Sequence, residues 1–138
     1  MARDMDIFIG TWDTSGQLWA TPDAEPVDFR AVDRYEWLAG GHFLLHHVEA
    51  DMAGTEVRAL EIARPDGDEW ILDSYDNTGT FGVSRARLDG LDWRITGDSE
   101  RFAGTFAADG GRISGRWERL DQGEWLRWME VTLISRNS

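Results

Sequence analysis

The sequence predicts an all-β protein: a single up-and-down antiparallel β-barrel of about ten strands, with little or no helix. Three observations lead there. Apolar and polar residues alternate in short runs divided by Gly, Asp, Asn and Pro turn signals. No long segment carries an i, i+3, i+4, i+7 apolar stripe between helix caps. Nearly every connection is short, so each strand pairs with the next. Such a meander closes naturally into a barrel, which removes its exposed edges. A barrel of this size can enclose one small ligand.

The first run, about 8–19, ends at Thr21 to Asp28, where Pro22 and Pro26 interrupt it. Runs at about 29–39 and 42–52 flank Gly40-Gly41, a dipeptide that accepts the positive φ of a tight hairpin loop. Ala53-Gly54 leads into 55–64, and Pro65-Asp66-Gly67-Asp68 into 69–76. Asp76-Asn77-Thr78-Gly79 precedes 79–88, and Asp89-Gly90 precedes 91–97. Gly97 to Glu100 leads to 101–108, Asp109-Gly110 to 111–120, and Asp121-Gln122-Gly123 to 124–135.

At 138 residues the chain is expected to form one domain, 1–138, with a core of its own. The formal net charge is −12. Acidity of that size speaks against nucleic acid and anionic membrane as partners, because both require a basic surface. Every basic residue other than histidine is arginine; the chain has no lysine. It also has no cysteine, which removes disulfides and thiolate metal sites and fits a reducing cytoplasm. No apolar run reaches signal-peptide or membrane-span length, so a soluble, unexported, cytoplasmic protein is expected. Eight tryptophans is a heavy load, most of them needed for the core and two or three available to a pocket. Any left on an outer face would point to a homodimer.

The hairpin about Gly40-Gly41 separates two faces. One pairs Ala39 with His42, Trp37 with Leu44, Tyr35 with His46, Asp33 with Val48 and Ala31 with Ala50. The other holds most of the charge, including Arg30 opposite Asp51, and should meet water. The first face is mostly apolar with a few polar groups, as a small-molecule pocket is. Extending the register across Ala53-Gly54 places Glu61 opposite His46. The inner row then reads Tyr35, His46, Glu61. Glu61 can fix the tautomer of His46 and raise its pKa, and Tyr35 can complete a proton-transfer row. The same three residues could equally form a satisfied polar network that only specifies the barrel. A four-residue loop at Pro65 to Asp68 would bring Leu72 beside Glu61 and Trp70 beside Ala63.

His42 and His46 share a face but lie about 13 Å apart along an extended strand, too far to hold one ion. His47 points the other way. Neither a metal nor another cofactor is expected. Gly-x-Ser-x-Gly, His-Glu-x-x-His and Gly-rich phosphate loops are absent.

Gly10-Thr11-Trp12 resembles the Gly-x-Trp signature of lipocalins and their calycin relatives. Phe8-Ile9-Gly10-Thr11-Trp12, Tyr35 to Leu44, Arg101 to Phe106 and Ile113 to Glu118 together resemble the uncharacterised bacterial family called domain of unknown function 1579. The resemblance implies a calycin-like barrel and no established activity. Nitrobindin-type barrels of the same shape bind haem through a histidine, but the last strands here carry none. The closing strand also resembles the Arg-x-Tyr of fatty-acid-binding proteins, with Arg127 followed by Met129 in place of tyrosine. An inward Arg127 would hold an acidic ligand; the alternative is Arg127 stacked on Trp12 at the barrel base. Along 79–89 the register turns Phe81, Val83, Arg85 and Arg87 inward, a set too basic for a core unless the pocket binds acids. The opposite set, Gly82, Ser84, Ala86 and Leu88, is small for a core, and a bulge near Gly79 or Gly82 would change the facing.

The expected function is binding of a small, mostly apolar molecule, with or without an acidic group, in the lumen, lined by Tyr35, Trp37, His42, His46, Trp70 and Leu72, with Arg127 on any acidic group. An isomerase or cyclase using Tyr35, His46 and Glu61 is the rival. A solid, ligand-free interaction protein is the third reading.

Overall fold

The computed structural model describes residues 2–136. Ten antiparallel strands follow a short N-terminal 3₁₀ helix, Ala2–Phe8: β1 Gly10–Leu18, β2 Val27–Trp37, β3 Leu44–Met52, β4 Thr55–Asp66, β5 Glu69–Asp76, β6 Phe81–Asp89, β7 Asp92–Thr96, β8 Glu100–Phe106, β9 Arg112–Asp121 and β10 Glu124–Ser135. Each strand pairs with the next, and β1 pairs with β10 to close the barrel. No helix is long and apolar enough to cross a membrane among the described residues. The outer wall carries charge, including Arg64–Asp73, Arg85–Asp66 and Arg101–Glu118 ion pairs.

The β2–β3 register is the expected one, with Tyr35 opposite His46 and Trp37 opposite Leu44. Its loop is wider than two residues. Strand pairing stops at Trp37–Leu44, Leu38 N–H donates to Phe43 O, and Gly40 and Gly41 both turn with positive φ. β3 and β4 also pair as expected, with His46 opposite Glu61.

The β4–β5 register differs by two residues. The loop is only Gly67-Asp68, so Ser74 lies opposite Glu61, Leu72 opposite Ala63 and Trp70 opposite Pro65. Pro65 fits inside the strand because β3 has already ended, its last pair being Leu44–Ala63, and needs no N–H there. A shift of two leaves every side chain on its face but moves it about 7 Å along the strand.

On β6 the structure decides between the two faces against the one that the simple register turns inward. Phe81 and Val83 are 78% and 64% exposed, and Arg85 and Arg87 pair with Asp66, Glu69, Asp68 and Asp89 outside. Gly82, Ser84 and Ala86 are the partners of inward Ser74, Leu72 and Trp70. Small side chains suffice because Trp70 and Leu72 fill the space. No acid-binding pair of arginines enters the lumen from this strand.

One end of the barrel is packed solid. The 3₁₀ helix crosses it, burying Met5 and Phe8. Phe8 meets Tyr35, Trp93 and Phe106 at centroid distances of 4.9, 4.9 and 5.1 Å. Trp12 Nε1 donates to Phe8 O at 2.7 Å, and Trp37 Nε1 to Asp6 Oδ1 at 2.7 Å. Leu44, Trp70, Leu72 and Ala86 complete this floor. The expected strand from residue 8 therefore begins at Gly10, since residues 2–8 are spent on the plug.

Candidate functional site

Above the plug the lumen is hollow, a cavity of about 270 Å³. Its wall is mostly apolar, from Phe29, Val48, Ala50, Ile95, Phe102 and Met129 among others. Part of the room comes from glycine. Phe102 lies flat across Gly104 and Gly115, where a Cβ on Gly115 would sit 2.3 Å from its Cζ. Phe29 lies across Gly16 in the same way.

A polar chain crosses this wall over five adjacent strands. His46 Nε2 lies 2.6 Å from Asp33 Oδ2, and His46 Nδ1 lies 3.2 Å from Glu61 Oε1. Thr14 Oγ donates to Asp33 Oδ1 at 2.5 Å, and Ser74 Oγ donates to Glu61 Oε2 at 3.2 Å. The order is Thr14, Asp33, His46, Glu61, Ser74, from β1 to β5. The Tyr35 ring stacks face to face on the imidazole, with centroids 4.0 Å apart and planes 11° from parallel.

Burial alone would push the His46 pKa down. Hydrogen bonds and charge from Asp33 and Glu61 outweigh it and hold the imidazole at about 9. His46 is therefore an imidazolium at neutral pH, with one N–H aimed at each carboxylate. Burial and the same two carboxylates raise the Tyr35 phenol well above its ordinary value, so it stays protonated.

The expected Tyr35, His46 and Glu61 row is thus brought together, but Tyr35 contributes a stacked face. Asp33, Thr14 and Ser74 are added to it. Asp33 was legible on the inner face two residues before Tyr35, diagonal to His46. Ser74 was hidden by the two-residue register error.

Other expected lining residues lie elsewhere. Trp37, Trp70 and Leu72 belong to the plugged floor. His42 is exposed in the 38–43 loop, because pairing ends before it. Arg127 does not line the cavity and does not reach Trp12. Its guanidinium lies 3.8 Å from the Trp19 ring centroid and 3.3 Å from Glu130. The cause is a β-bulge between Arg127 and Met129. Met129, Val131 and Leu133 keep the inward face, and the extra residue turns Arg127 to pair beside Glu118. Other tryptophans are also covered by arginine: Arg101 lies over Trp125 at 4.3 Å, and Arg119 lies at 3.6 Å over Trp128, which packs partly buried against the core. No three or more His, Asp or Glu side chains are arranged to hold one metal ion among the described residues.

Fold and site define a closed ten-stranded barrel with a floor, a hollow lumen and one part-buried ionic chain in its wall. A family described as protein of unknown function (DUF1579) matches residues 3–69, which run from the plug through β4 into the start of β5. That stretch holds Thr14, Asp33, Tyr35, His46 and Glu61, so the similarity covers most of the polar chain. No curated protein matches the sequence.

Proposed function

We propose that the protein binds a small, mostly apolar molecule in the barrel lumen, as calycin-like barrels are built to do. The observation that carries this reading is the cavity of about 270 Å³ above a packed floor. It is nearly twice the roughly 150 Å³ that admits benzene in an apolar core, so one or two fused rings would fit. A cysteine-free composition supports a cytoplasmic setting.

A proton-transfer enzyme has less support. General acid–base work needs a ring nitrogen free to meet substrate, and both nitrogens of His46 face carboxylates. A solid interaction barrel has less support too, since only the floor is filled.

Native beside denaturing mass spectrometry on freshly purified protein tests the binding reading. Extra mass lost on denaturation supports it. Ala59→Trp, which would fill the lumen from β4, should then abolish that extra mass while the barrel stays folded. Retention of the mass by this variant would place the ligand outside the lumen and defeat the reading.

A further inference from the structure

Resting on the lumen-binding reading, we propose that the lumen selects an apolar ligand with a cationic head, a protonated amine, and rejects the carboxylic acid of the same shape. Among the described residues that line the cavity, the charged ones are Asp33, His46 and Glu61. Two carboxylates stand against one imidazolium, and that imidazolium already directs both of its N–H groups at them. Among the described residues no second cation lines the space: Arg85, Arg87 and Arg127 all lie outside it, engaged with acidic side chains. Tyr35 offers a neutral phenol, which carries no charge to hold an anion.

An anionic head placed here would sit beside two carboxylates without a counter-ion, in an apolar wall where charge is poorly screened. An ammonium meets the opposite situation. A carboxylate has about four lone-pair sites, and each of these two uses one oxygen on His46 and the other on a hydroxyl, so each retains acceptor capacity. Glu61 is the better placed, with its side chain 24% exposed against 11% for Asp33. Beyond Ser74 in the same inward row stands Gly82, where a Cβ would meet nothing within 4 Å. Glu61 is thus the carboxylate nearer the open, solvent-facing side of the row at Gly82, and the head group would sit against it, with the apolar body of the ligand against Phe102, Val48 and Met129.

The test compares 1-naphthylmethylamine, 1-naphthylmethanol and 1-naphthoate by calorimetry at pH 7 on the full chain. The amine should bind at least about tenfold tighter than the acid, with the alcohol between them. Glu61→Gln should remove most of that preference, read as the ratio of amine to acid affinity within the variant. Acid binding equal to or tighter than amine binding overturns the charge selection and leaves the lumen reading standing. Failure of all three probes to bind overturns both. The comparison on the unaltered protein decides the proposal even where Glu61→Gln does not fold.

Discussion

His46 Nε2 sits 2.6 Å from Asp33 Oδ2, closer than Nδ1 is to the carboxylate of Glu61 directly across the ladder. A diagonal neighbour thus makes the shorter contact. This pair makes stability depend on pH in a definite direction. The imidazole is held at about 9 in the folded barrel, against an ordinary value of 6.5. The folded state keeps a proton that the unfolded chain releases earlier, so the contribution is full below about pH 6.5 and is lost as pH rises through 9. Its size is on the order of 3 kcal/mol. Urea unfolding at pH 6 and pH 9.5 should show the loss. In Asp33→Asn the drop should shrink and the His46 titration, followed by NMR, should move down. A pH-independent midpoint in the parent protein would disprove the linkage.

Trp37 and Asp6 hold the plug across 31 residues of sequence. Trp37→Phe keeps most of the packing and removes the indole donor. The expected cost is about 1 kcal/mol, with faster amide exchange confined to the Ala2–Phe8 helix and Ile9. Uniformly faster exchange over the barrel would mean that the bond supports more than the plug.

Gly115→Ala should be destabilising by roughly 1–3 kcal/mol. The new Cβ would meet Phe102 Cζ at 2.3 Å and the backbone oxygen of Ala103 at 2.7 Å. Only the ring can give way, and it gives way into the lumen. A ligand of naphthalene size should bind more weakly, with the aromatic resonances of Phe102 displaced. Unchanged affinity would mean that the lumen does not extend to this wall.

Gly82→Val tests the open side of the lumen. β6 pairs with β5 along Phe81 to Ala86, but its pairing with β7 begins only at Arg85, so Phe81 to Ser84 overhang. Gly82 has room and carries no positive φ. A β-branched residue there should raise stability by about 0.5–1 kcal/mol and slow ligand association in stopped-flow fluorescence. Stabilisation without a change in rate would place the entrance elsewhere.

Strand order, barrel closure and the β2–β3–β4 registers were legible because those turns carry strong local signals and their faces differ sharply in polarity. Tyr35, His46 and Glu61 came together for that reason. The β4–β5 register was not, because Pro65 reads as a loop residue unless one knows that β3 stops short. β6 misled for a related reason: a row of Gly, Ser and Ala reads as surface until the large Trp70 and Leu72 are set beside it. The reversal of Arg127 rests on a single extra residue at Trp128, and alternation alone gives no warning of a bulge. The plug was hidden because seven residues are too few to show helical periodicity.

The seam between β1 and β10 joins Trp12 to Ser135, and Arg136 N–H donates to Thr11 O. The two strands that complete the wall are the first and the last of the ten in chain order. A nascent chain lacking β10 presents two raw sheet edges and an unsealed lumen lined with tryptophan and phenylalanine. Closure is then the step at which such a chain is most open to strand exchange with its neighbours, and the contacts that end this exposure are among the most distant in sequence that it can make.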